Sequence, residues 1–257
     1  MKHKNHNTVL ITVIVISVVF FLIFSALISF FQFTSIGYRM SVPFRSSFEK
    51  IDDNVYINKL DPDEKEEITM ITEIINKAKE RAADFYGELK SSESTVIILC
   101  DNKNTLEKLG GDHDTQTAFF PSVKNYISLS PDYFNINILA HELTHAELHT
   151  RLSSSVMKKL PVWFNEGLAM QNDNRKTYNE DAWRKLTDDG KKTVALTDMD
   201  EESEFYAGTD NDKLMRYVCA KHEVSEWMSR HGRQGLLELI DNLNNGEDFY
   251  TVYTNFN

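Results

Sequence analysis

An α+β fold behind an N-terminal apolar helix is what this 257-residue sequence predicts. Three observations carry that expectation. Residues 9–33 contain no charged side chain. A long helical pattern and short β-branched or alternating runs then occupy the chain to about residue 130. Beyond that point every pattern is helical. Such an order points to an α+β lobe followed by a helical lobe, packed as one unit.

The apolar run, VLITVIVISVVFFLIFSALISFFQF, is 25 residues long, enough to cross a bilayer as one helix. A secretory h-region spans roughly 7–15 residues and ends at an A-x-A-like cleavage site. This run is longer and no such site follows it, so it reads as a retained anchor. Lys2 and Lys4 precede it, and Arg39, Arg45 and Lys50 follow, so the charge bias is weak. The tail of residues 1–8 is short, which predicts that it stays in the cytoplasm. The chain is then single-pass in the cell membrane, with residues 34–257 outside. Residues 34–53 are polar and mixed and read as a juxtamembrane stalk. Residues 54–257 read as one domain.

Asn54-Val55-Tyr56-Ile57 opens that domain as a short strand. After Pro62, apolar residues Ile68, Ile71, Ile75, Ala78, Ala82 and Phe85 recur at steps of three and four, predicting a helix that ends near Gly87. Thr95–Leu99 is β-branched and predicts a buried strand. Residues 102–125 are loop-rich. Tyr126-Ile127-Ser128-Leu129 alternates and predicts a half-exposed strand, closed by Pro131. A helix over roughly 133–150 follows. Pro161 predicts the start of a second, short helix, VWFNEGLAM, because proline suits a first turn. Further helices are expected near 178–187, 212–231 and 233–244.

The net charge is −11. Lys2 and Lys4 lie before residue 34 and no acid does, so the remainder carries −13. That argues against nucleic acid or an anionic bilayer surface as partner. Two cysteines, Cys100 and Cys219, form no disulfide framework, and pairing and burial as free thiols both remain open.

Residues 139–149 read LAHELTHAELH. On a helix, His141 and His145 share one face, about 6 Å apart along the axis. That suits two imidazole nitrogens on one zinc ion. Glu142 stands next to the first histidine, where it can serve as the base toward a water whose pKa zinc lowers toward ~7. A third ligand is required. In the metzincin pattern a glycine would stand at 148 and a histidine at 151, but Leu148 and Arg151 occupy those places. His149 therefore reads as a solvated or hydrogen-bonded helix residue. Asp210 and Asp212, near Gly208-Thr209, are weak candidates. Glu166, in LPVWFNEGLA, is the strong one. It lies 21 positions after His145, a distance over which a following helix can return a carboxylate to the ion. Small neighbours Gly167 and Ala169 allow two helices to approach closely. His₂Glu plus water completes a catalytic tetrahedral site.

HELTH followed by LPVWFNEGLA resembles the gluzincin zinc metallopeptidases, and most closely the bacterial peptidase MA-like domains. The resemblance spans about residues 54–250 and is sharp in two blocks, 138–149 and 160–170. It implies a thermolysin-like zincin fold, with zinc between a small sheet lobe and a helical lobe. It also implies His141, His145 and Glu166 as zinc ligands and Glu142 as base, with Tyr126, Ile127, Ser128 and Leu129 as the edge strand that pairs with an extended substrate. Such domains often carry Tyr-x-x-Ser with a glycine fifteen residues after the tyrosine. Tyr217-Val218-Cys219-Ala220 with Gly232 has that spacing, although Ala220 replaces the serine. Tyr217 is thus a candidate donor to the oxyanion, with Tyr206 as the alternative.

Two departures sharpen the picture. The Gly-x-Met-Glu-Asn block with which related aminopeptidases hold a free N-terminus is absent from 110–130, which favours an endopeptidase. Met170 stands where a carboxylate often orients the first histidine, leaving Asn165 or a backbone carbonyl for such a role. The expectation is a membrane-anchored zinc endopeptidase acting on peptide or protein substrates. Phe119 and Phe120 and the region Tyr206–Tyr217 are its expected pocket walls, which predicts an apolar residue beside the cleaved bond. The alternative is a zincin-fold binding or sensor module at the membrane that cleaves nothing.

Overall fold

The computed structural model describes residues 2–58, 65–111, 115–119 and 124–255. Pro62 and Phe120 lie outside them. In chain order the elements are α1 (Lys2–Phe33), α2 (Ser35–Ser41), β1 (Phe48–Asp52), β2 (Val55–Asn58), α3 (Lys65–Tyr86), β3 (Thr95–Leu99), α4 (Lys103–Lys108), β4 (Thr115–Phe119), β5 (Asn125–Leu129), α5 (Ile136–Arg151), α6 (Ser154–Met157), α7 (Val162–Ala169), α8 (Glu180–Thr187), α9 (Glu202–Phe205), α10 (Asp210–Asn244) and α11 (Phe249–Thr254). The fold is mixed α+β, with helix dominating. α10 contains the expected break. Gly232 sits at φ 63°, ψ −167°, so two helical segments meet at the one residue that tolerates this backbone.

Five strands form one sheet in the order β1-β2-β3-β5-β4. β1 and β2 make an antiparallel hairpin, β2, β3 and β5 run parallel, and β4 returns antiparallel on the far edge. α3 and α5 cover one face, where Ile75, Ala78, Ile97, Ile127, Leu129, Leu139 and Leu143 pack together. The other face buries Val96, Ile98 and Tyr126 against Val42, Leu106 and Leu109.

That second cover corrects two expectations at once. Residues 34–53 are not a stalk. α2 and the following turn pack on the sheet, and β1 is its first strand, so the expected boundary at 54 falls inside a hairpin. Because this segment roofs the face that Tyr126 and Ser128 point toward, β5 is buried along its whole length rather than half-exposed. Its alternation is real, but the two faces it separates are both interior. Nor is β5 an edge. β3 and β4 flank it, so the premise for substrate pairing by Tyr126, Ile127, Ser128 and Leu129 fails.

A separate core holds the helical lobe together, built from Trp163, Phe164, Leu168, Phe205, Trp227, Leu236 and Tyr253. α7 lies directly on α10. A Cβ added at Gly167 would stand 2.5 Å from the Ala220 carbonyl oxygen, so only glycine permits this approach. α5 touches both lobes, packing on α3 and on α7.

α1 is long and apolar enough to cross a membrane, and no residue of Val9–Phe33 is buried by the rest of the chain, with Ser25 and Phe30 partly covered.

Candidate metal centre

α5 begins where Asn135 caps it, its side chain accepting from the N–H groups of Asn137 and Ile138. One side of the helix carries Leu139, Leu143 and Ala146 into the sheet-side core. The register that buries them turns His141, Glu142 and His145 toward α7, and all three are buried. Glu166, in the middle of α7, faces them.

The three candidate ligands converge. His141 Nε2 and His145 Nε2 are 3.1 Å apart. Glu166 Oε2 lies 3.5 Å from the first and Glu166 Oε1 3.6 Å from the second. All three ligand atoms fall within 4.8 Å of one another, a group able to hold a metal ion. Glu166 Oε2 is buried with no hydrogen-bond partner among the described residues. A buried carboxylate oxygen left unsatisfied is costly unless a cation completes it, so the residues fit a metal. Two imidazole nitrogens and one carboxylate oxygen suit zinc and other transition ions better than calcium or magnesium, which take oxygen ligands.

Each ligand has its own support. His145 Nδ1 is 2.9 Å from Asn165 Oδ1, which keeps the proton on Nδ1 and frees Nε2. Asn165 thus takes the orienting part that Met170 cannot, although for the second histidine rather than the first. Tyr206 Oη donates to Glu166 Oε1 at 2.6 Å. Burial opposes protonation of His145, but the Glu166 carboxylate, with Glu142 and Asn165, outweighs it and raises the imidazole to about 9. Burial likewise opposes ionisation of Glu166, and the two histidines overcome it, holding the carboxyl well below its ordinary range.

A cavity of about 370 Å³ opens beside this cluster. His141, Glu142 and Tyr217 line it, with Ile138, Met170 and Leu214 as its apolar wall and Arg175 and Lys213 as its cations. Tyr217 therefore faces the same space as Glu142, whereas Tyr206 is committed to Glu166. Burial, then Glu166, pushes the Tyr217 hydroxyl well above its ordinary value, and the neighbouring Tyr206 phenol offsets part of that rise.

Of the other expected residues, Asp210 also lines this cavity but stands outside the ligand cluster. Asp212 accepts from the backbone and hydroxyl of Thr209 in a helix cap, and Asp210 pairs loosely with Lys213. Neither joins the ligand group, and nor does His149. Phe119 falls in β4.

Two further residues escape sequence reasoning. Asp173 is fully buried and held by Arg175, which approaches both of its oxygens. This pair fixes the guanidinium in the cavity wall. The hint was the short polar run NDNR closing an apolar helix. Glu147 is fully buried too, accepting from the backbone N–H groups of Lys90 and Ser91 and from Arg151. It ties the 87–94 turn to α5. No sequence signal distinguishes it from a surface glutamate.

Compared with known proteins, the chain matches no protein-family model and no curated protein.

Proposed function

We propose that this chain is a membrane-anchored zinc endopeptidase of thermolysin-like fold, with α1 spanning the cell membrane and the remainder outside. One observation carries the reading. His141, His145 and Glu166 converge within 4.8 Å at the edge of a cavity that Glu142 and Tyr217 also line. A structural ligand set has no need of a buried carboxylate base beside it.

When bound, zinc supplies a Lewis acid and lowers the pKa of water enough for attack at neutral pH. The chain's own groups do the rest. Glu142 takes the proton of the attacking water and returns it to the leaving nitrogen. Tyr217 donates a hydrogen bond to the developing oxyanion. Asn165 and Tyr206 hold His145 and Glu166 so that neither moves during turnover. The substrate strand shifts from β5 to β4, whose outer edge is antiparallel to β5 and unpaired among the described strands. Ile138, Met170 and Leu214 supply an apolar wall for a side chain beside the cleaved bond.

The test compares wild type and Glu142→Gln. Metal analysis of both should return one zinc per chain. Digestion of a peptide library and its N-acetylated copy by wild type should cleave both, and the variant should be slower by about 10²–10⁴-fold. Cleavage of the free-amine library alone would make the chain an aminopeptidase. Zinc without cleavage would make it a non-catalytic binding module.

A further inference from the structure

We propose that Ile36, Met40 and Phe44 form a face that seats in the lipid surface, so that the domain lies against the bilayer instead of standing off on a tether. This rests on the reading of α1 as a membrane anchor. Phe44 is exposed at 89% and Phe33, at the end of α1, at 81%, while Ile36 and Met40 are exposed at 39% and 37%. Ile36 and Met40 stand one turn apart on α2 and share one side, and Phe44 ends the short turn that follows. Other residues of the same segment are fixed in the domain. Val42 belongs to the core beneath the sheet. Arg39 is buried and donates from Nη1 to the Leu109 carbonyl at 2.7 Å. The segment therefore cannot roll to hide its apolar side.

The height of that face is set by its ties to α1. Thr34 Oγ1 donates to the Phe30 carbonyl at 2.7 Å and accepts from the Gly37 N–H at 3.0 Å. Gly37 presses so closely that a Cβ there would lie 2.2 Å from the Phe30 oxygen. Arg45 Nη2 donates to the Phe31 carbonyl at 2.6 Å. These ties hold the start of the segment and the Arg45 guanidinium against the last turn of α1, the depth at which a spanning helix leaves the hydrocarbon. The Arg45 guanidinium lies 3.6 Å over the Tyr38 ring. Arginine and tyrosine at this depth, with apolar side chains beside them, are the composition of an interfacial segment. Lipid is the favoured occupant because exposed Phe44, Ile36 and Met40 follow directly on the exposed apolar end of α1, to which the segment is tied.

The full chain in phosphatidylcholine nanodiscs tests the idea, with a bimane label at Val19→Cys or at Phe44→Cys. Cys100 and Cys219 are buried and stay unlabelled. Both labels should be quenched by doxyl lipid, position 44 best by shallow doxyl groups, and position 44 should be shielded from iodide at least threefold relative to the same label in detergent-free unfolded chain. Lipid quenching at 19 together with iodide quenching at 44 would overturn the proposal and leave the anchor intact. Failure of lipid quenching at both positions would overturn the anchor reading itself. Disulfide-linked dimers of Phe44→Cys would show that a second copy covers the face, which also overturns it.

Discussion

The Tyr206 hydroxyl donates to one oxygen of Glu166 at 2.6 Å, and the other oxygen of that carboxylate has no hydrogen-bond partner among the described residues. One half of the group is held and the other is left for a cation. Tyr206→Phe should therefore lower zinc affinity by about 10–100-fold while the domain stays folded. Competition against a chromophoric chelator reads the affinity directly, and an unchanged value would reduce Tyr206 to packing.

Tyr217 lines the cavity with Glu142, and a loss there should appear in turnover instead. Tyr217→Phe is expected to keep its zinc and to lose about 10²–10³-fold in kcat, the cost of one oxyanion donor. Equal losses in zinc content and activity would show that the two tyrosines act as one structural pair.

His149 gives the fold a pH dependence. Burial, assisted by the charge of His145, pushes its pKa down to about 3 from the ordinary 6.5. Between those values the unfolded chain binds a proton that the folded chain refuses. Stability is then complete above about pH 6.5 and declines as pH falls toward 3, by up to about 1.4 kcal/mol per pH unit. Urea midpoints of the chelated protein at pH 6.5 and 4.5 should separate more for wild type than for His149→Gln. Parallel shifts in the two proteins would contradict this.

The thiols should be inert. Cys100 and Cys219 are free and buried, and burial pushes Cys100 up to about 12. Thiolate is the reactive form, so maleimide at pH 7 should modify the native protein slowly and label two groups per chain after denaturation. A rapid reaction of either native thiol would mean that its surroundings open.

Local patterns carried most of the fold. The α3 periodicity, the β-branched β3 and the glycine break in α10 are each written in adjacent residues. What stayed hidden depended on distant ones. Nothing between 34 and 53 announces that Val42 and Tyr38 will cover a sheet formed by residues up to 129, so the segment looked like a tether and β5 like a half-exposed edge. The site divides the same way. His141, Glu142 and His145 share one helix and a fixed spacing, and the block around Glu166 is distinctive. Asp173 and Glu147 have no such signature, because their meaning lies in backbone groups and an arginine that only folding delivers.

Gly167 links the tolerance of the candidate metal centre to a single missing methyl. It adjoins Glu166, and a Cβ there would sit 2.5 Å from the Ala220 oxygen, forcing α7 away from α10 by several tenths of an ångström or more. A core can absorb such a shift by repacking. A coordination bond near 2 Å cannot, since ligand distances hold within about 0.2 Å. With an ion held by this group, coordination chemistry would set the mechanical precision of the helix crossing, and a substitution too small to unfold the protein would still detune the site.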